Sequence, residues 1–339
     1  MIISEVTQNP PTNDKSKIIY IISVSNQKRL WTIHGKKYDL TPFIKNHPGG
    51  AQILQRAQMM EDCGVMFETY HAFSNKEAIR SQLEKYRVVE KFDTSSSVPV
   101  YDFRDYIQLT NRIKLLFPDR KSIKATNTFY AKNVLFLCLY LITFCVAMLS
   151  NFNYLIRVTC GFVSGILWII LGFNVMHDGS HYAISKYPKV NEVLESIWNS
   201  FALWNSLIWG LHHVYGHHSY TGNTKYDPDL KHFRPFTRKY REDERGVNKT
   251  LRNIQDKIIT FAACVLPGMY LGQSMAYLLG VIRSNLWNIK LPKNIISDTK
   301  WYEYCLMVAS LYCLWKGFFL PLLAYFLACN IFYHINTTS

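Results

Sequence analysis

The 339-residue sequence predicts a small α+β domain followed by an all-α, multi-span membrane domain. Three observations carry this expectation. The front of the chain is polar and mixes a β-branched run with helix-type spacing. Later segments are long, apolar and almost free of charge, so the mean hydropathy of −0.04 averages two unlike halves. Between them, Asp93-Thr94-Ser95-Ser96-Ser97-Val98-Pro99 is a Ser-rich stretch ending in proline, which marks a linker. Aromatic residues make up 15% of the chain and charged residues 18%, which excludes a disordered or collagen-like protein.

Taken in order, residues 1–17 are polar with a Pro-Pro step and lack the basic-then-apolar order of a signal peptide, so they are expected as a disordered cytosolic tail. The first domain spans 18–92, with a strand-type run at Ile18 to Val24, a turn at Gly35 and helical spacing over Ile53 to Phe67 and Lys76 to Tyr86. Residues 93–102 form the linker and 103–339 the membrane domain. From Asn133 to Met176 the only charge is Arg157, and the polar break Ser150-Asn151-Phe152-Asn153 divides this stretch into two lengths near a bilayer span, a transmembrane hairpin. Ser196 to Thr224 holds no Asp, Glu, Lys or Arg but contains Asn199, Asn205 and four histidines, and is expected to be buried or interfacial rather than spanning. Residues 258–282, interrupted by Pro267-Gly268, predict one further span or hairpin, and 304–339, with Lys316 alone charged, one or two more.

The net charge of +14, from 38 Lys+Arg against 24 Asp+Glu, is concentrated beside these spans. Segment 103–132 carries seven basic and two acidic residues, and 231–257 nine and four, so both are expected in the cytosol. Charges that flank spans instead of forming one basic face point away from nucleic acid and toward anionic lipid headgroups. Seven of the eight cysteines lie in apolar stretches without a C-x-x-C pair and read as core or lipid-facing residues.

Two constellations carry chemistry. The first is Trp31-Thr32-Ile33-His34-Gly35-Lys36-Lys37-Tyr38-Asp39-Leu40-Thr41-Pro42-Phe43, continuing to His47-Pro48-Gly49-Gly50, with His71 following 24 residues after His47. This run resembles the start of a cytochrome b5 domain. The resemblance implies haem b held axially by His47 and His71, with both iron positions filled, so that the group exchanges electrons and binds no dioxygen. Pro48 and the glycines suit a tight turn close to the macrocycle. The serine usual after the second histidine is displaced here to Ser74, and His34 is expected as a solvated turn residue.

The second constellation is the crowding of six of eleven histidines into 177–218. His177 and His181, and again His213 and His217, are spaced i,i+4 for one helix face, with His218 adjacent. Such nitrogen-rich sets suit Fe, Cu or Zn. The runs His177-Asp178-Gly179-Ser180-His181 and Gly216-His217-His218-Ser219-Tyr220-Thr221, followed by Asp227-Pro228-Asp229, resemble the first two histidine boxes of the membrane-bound fatty acyl desaturases, and the fused haem domain narrows this to front-end acyl or sphingolipid desaturases.

That resemblance implies two non-haem Fe ions ligated by His177, His181, His213, His217 and His218, which with dioxygen and two electrons desaturate an acyl lipid. Electrons would come from NADH through a cytochrome b5 reductase and the fused haem, with both sites on the cytosolic side of the endoplasmic reticulum membrane. His212 is expected as a bystander, His232 as solvated and Asp178 as an orienter of imidazole N–H. Asp227 and Asp229 either orient likewise or cap a turn. No third box precedes Ser339, and His334 is the sole histidine of the last hundred residues. The membrane domain is therefore expected to be C-terminally incomplete, and a lipid hydroxylase and an inactive membrane-anchored haem electron carrier remain as alternatives.

Overall fold

The structure, a computed structural model, describes residues 30–88, 101–117, 123–201, 203, 205–223, 225–229, 285–286, 289–290, 300–317 and 320–338. The predicted tail 1–17, the run Ile18 to Val24, the linker 93–99, the basic segment 231–257 with His232, the apolar segment 258–282 and the His334 side chain lie outside what is described.

In the front half, strands β1 (Trp31–Ile33) and β2 (Lys36–Tyr38) pair antiparallel with Trp31 opposite Tyr38. Their turn holds His34 at φ 51° and Gly35 at φ 74°, the left-handed pair a two-residue hairpin needs, so glycine fits the second position. Alternation turns Trp31, Ile33 and Tyr38 inward. Three short helices follow, α1 (Ala51–Ala57), α2 (Gly64–Tyr70) and α3 (Lys76–Glu84). The single helical pattern expected over Ile53 to Phe67 is thus broken in two. Asp62 explains the break: its carboxylate accepts the Gly64 N–H at 2.7 Å, opening α2, and the Gly35 N–H at 2.8 Å, tying the break to the hairpin.

After α4 (Arg104–Leu116), α5 (Asn127–Leu149) and α6 (Tyr154–Leu171) form the predicted hairpin. Thr126 and Asn153 cap them, accepting N–H bonds from Phe129 and Ile156. Arg157, the lone charge, donates to the Ala147 carbonyl at 3.1 Å. Two helices among the described residues, Asn127–Leu149 and Tyr154–Ser180, are long and apolar enough to cross a membrane. Their outward faces are apolar, with Ile142 61% and Leu155 76% exposed. Helix α10 (Leu320–Thr338) crosses α6 where Gly161 and Gly165 stand against the Pro321 and Tyr325 carbonyls, a small-xxx-small contact in which any side chain would meet backbone.

Helices α7 (Pro188–Phe201) and α8 (Ser206–Gly210) occupy the middle, and α9 (Trp301–Lys316) packs on α7. The stretch expected to be buried or interfacial rather than spanning is built of such short helices. Helix α7 is polar yet enclosed, and several of its buried groups are paired. Asn191 holds the preceding loop by accepting from Ser185 N and donating to the Ser185 and Tyr187 carbonyls, and Ser196 meets the Tyr302 hydroxyl at 2.8 Å. A second short antiparallel pair, β3 (Asn285–Leu286) and β4 (Ile289–Lys290), lies further along the chain.

The two halves share one core. Trp31, Leu40, Ile53 and Met66 pack in a single apolar cluster with Tyr182, Leu211, Val214 and Tyr215. The front domain, which the sequence presents as self-contained, therefore completes its core on the segments that carry the histidine boxes.

Candidate functional site

His47 ends a 3-10 turn (Thr41–Asn46), and His71 caps the end of α2. Their ring centres lie 6.2 Å apart. Rings this close could both serve as nitrogen ligands of one haem iron. Each ring also has its tautomer set: Nδ1–H of His47 donates to the Gly50 carbonyl at 3.1 Å and that of His71 to the Phe67 carbonyl at 2.7 Å, which puts the proton on Nδ1 and makes Nε2 the ligand-type nitrogen of each ring. Burial holds the His47 pKa below its usual value and keeps the ring neutral. A Cβ on Gly49 would lie 2.7 Å from the His47 ring, which accounts for glycine at that position.

The second site begins where α6 continues into a π-helical turn, Gly172–His177, and then Asp178–Ser180. The second box repeats the pattern: α8 runs into a π turn, Leu211–His217, then His218–Tyr220. Wider π turns commonly mark functional positions in helices. Here they change which rings meet. His213 faces His218, with their Nε2 atoms 3.1 Å apart, instead of its i+4 neighbour His217. His177, His181, His213 and His218 offer nitrogen atoms that all lie within 4.8 Å of one another. The Nε2 of His181 is buried without a hydrogen-bond partner, as expected for a nitrogen aimed at a cation.

His217 stands beside this group. Its Nδ1–H donates to Asp227 at 2.9 Å, with Asp229 3.4 Å away. Asp227, 2% exposed, also accepts from the Gly222 and Asp229 N–H groups, so it both caps a turn and orients the ring. Asp178 accepts from His177 Nδ1–H at 3.0 Å. His212 turns away from the cluster to Asp229 at 2.7 Å. His34 sits in its turn 3.2 Å from Glu68. Burial, reinforced by the neighbouring His177 and His218 rings, pushes the His181 pKa down to about 3, and burial next to His218 and His177 lowers that of His213 as well. A cluster of imidazoles that brings its nitrogens this close together is a donor set for a divalent transition metal.

The two sites communicate through one cavity of about 790 Å³, lined by His47, Phe67 and His71 on one side and by His181, Tyr182 and Lys186 on the other. Tyr182, next after the box, has φ 56°. Its carbonyl accepts Lys124 Nζ at 2.6 Å.

A profile described as "Fatty acid desaturase" matches residues 152–339, more than half the chain. The chain belongs to the fatty acid desaturase family. A second profile, "Cytochrome b5-like Heme/Steroid binding domain", matches residues 22–91. Curated relatives of this chain include "Acyl-lipid (8-3)-desaturase B" of Dictyostelium discoideum, 28% identical over 214 residues, 62% of this chain and 45% of the relative. "Acyl-lipid (8-3)-desaturase" of Mortierella alpina is 27% identical over 219 residues, 63% and 48%. "Delta(5) fatty acid desaturase A" of Dictyostelium discoideum is 30% identical over 207 residues, 58% and 42%. The chain spans about half the length of the curated relatives it matches, and no solved structure matches it. Within this chain, the π turns, the His213–His218 pairing and the wall between the two sites escaped the sequence. The odd i,i+5 spacing of His213 and His218 was the only signal for them.

Proposed function

We propose that the protein introduces a double bond into the acyl chain of a lipid and carries its own electron donor. One observation carries the reading: His181 belongs to the four-histidine cluster and also lines the cavity that holds His47 and His71. His47 and His71 would hold haem b, and His177, His181, His213, His217 and His218 two non-haem Fe ions, with Asp178 and Asp227 fixing two of the tautomers. When bound, these groups supply one-electron transfer and, with dioxygen, the oxidising power to take two hydrogens from neighbouring methylenes.

The chain's own part is to position. Nδ1–H bonds to fixed acceptors aim the ligand nitrogens. The exposed apolar faces of α5 and α6 match a lipid environment, and the box residues stand at the end of α6, where an acyl chain in the bilayer would meet them. We place this multi-span protein in the endoplasmic reticulum membrane, with both sites facing the cytosol and a NADH-dependent cytochrome b5 reductase upstream. The names of the relatives, acyl-lipid desaturases, support the substrate class.

The test is the lipid profile of a host expressing the protein. A new double bond that disappears with His181→Ala and with His213→Ala is the expected result. Double bonds unaffected by both variants would overturn the assignment, and a hydroxylated acyl product would replace desaturation with hydroxylation.

A further inference from the structure

Arg56 belongs to neither site, yet it is the one buried Lys or Arg among the described residues. It projects from α1 of the haem-binding half into the histidine half. There its Nη1 donates to both carboxylate oxygens of Glu195 on α7, at 3.1 and 3.2 Å, and the carboxylate is fully enclosed. The seat is shaped for the guanidinium. A Cβ on Gly210 would stand 2.6 Å from Nη1, so a side chain there would press on the guanidinium and displace it from this position. Nearby, the Tyr215 hydroxyl crosses the same boundary and donates to the Ile53 carbonyl at 3.1 Å.

An apolar pair would bury this boundary as well as an ion pair does, because both charges must be stripped of water; what a buried pair adds is a single register. Only one setting of the haem-binding half brings the α1 guanidinium opposite Glu195. In that setting Tyr182, Ser185, Lys186 and Pro188 line the cavity that holds His47 and His71, and that cavity reaches His181.

We propose that Arg56 and Glu195 form an interdomain key that seats the haem-binding half on the histidine half and makes the 182–188 segment a wall of the haem cavity. Arg56 is a positioning residue. The inference rests on the reading that this cavity takes haem.

The experiment is haem transfer from the haem-loaded full chain to excess apomyoglobin, followed by absorbance. Arg56→Met, acting from one half, and Gly210→Val, acting from the other, are each expected to speed haem loss about ten-fold or more, a modest share of what losing one partner of a buried pair carries. The absorption bands of bis-histidine haem should stay unchanged, and Arg56→Lys should fall between Arg56→Met and the parent. The double variant Arg56→Met/Glu195→Gln should be no faster than Arg56→Met alone, since two members of one pair are not additive. Haem loss at the parent rate in both single variants, or additive effects in the double, would overturn the key. A parent chain that takes up no haem would instead overturn the functional reading on which it rests.

Discussion

Replacing Asp227 with Asn changes charge without changing shape, at a carboxylate that is 2% exposed. One oxygen accepts from His217 Nδ1 at 2.9 Å and from Asp229 N at 2.9 Å; the other accepts from Gly222 N at 2.8 Å. An amide has one acceptor oxygen. Whichever way it turns, its NH₂ faces an N–H across less than 3 Å, and a buried donor left unsatisfied costs about 1–3 kcal/mol. If the amide oxygen stays with Gly222, His217 loses the acceptor that sets its tautomer. Loss of such an outer partner lowers metal affinity about 10- to 100-fold. Asp178 makes the equivalent bond to His177, but its side chain is 39% exposed, so water can substitute and Asp178→Asn should cost less. The assay is non-haem iron per chain after dialysis against a graded chelator series. Asp227→Asn is expected to release iron at roughly 10-fold lower chelator or less, with Asp178→Asn between it and the parent. Equal retention by all three proteins would refute the reasoning, since it would show that neither carboxylate orients a ligand.

Gly49→Ala drives a methyl against the His47 ring and should break its bond to Gly50, weakening haem binding by about 1 kcal/mol or more, measured by haem titration. Gly165→Leu inserts a side chain against the Tyr325 carbonyl and should destabilise the α6–α10 contact by about 1–3 kcal/mol, read as a lower thermal midpoint in detergent. Acid should weaken the metal-free chain. The folded pKa values of His181, His213 and His218 are depressed, so the unfolded chain binds more protons below about 6.5. Their stability contribution is therefore complete above that pH and lost as pH falls toward the folded value of about 3 for His181. A urea midpoint that is flat between pH 8 and 7 and falls below pH 6.5 is the expected result.

What could be read from the residues was whatever local spacing encodes. The α5–α6 hairpin was legible because one charge in a long apolar stretch and one polar break leave few alternatives. The meeting of His47 with His71 was legible because the Gly-rich turn and the distance to His71 travel together in one short segment. The break at Asp62 was not, because helical spacing continues through it and only the long-range bond from Gly35 makes the turn worthwhile. Neither were the π turns: an i,i+4 pattern assumes α geometry, and the extra residue in each turn exchanges His217 for His218 as the ring facing His213. Arg56 and Glu195 stand 139 residues apart, and nothing local couples them. The crossing of α6 and α10 was partly visible as Gly161-x-x-x-Gly165, but its partner had to come from the fold.

The most direct measurement is the content of haem and of non-haem iron in the purified chain and in two crossed variants. His47→Ala should lose six-coordinate haem and keep its iron. His181→Ala should lose iron and keep a bis-histidine haem spectrum, because the proposed function assigns the two rings to separate centres on either side of one cavity. Iron retained in full by His181→Ala, or a haem spectrum unaltered in His47→Ala, would contradict the two-centre reading.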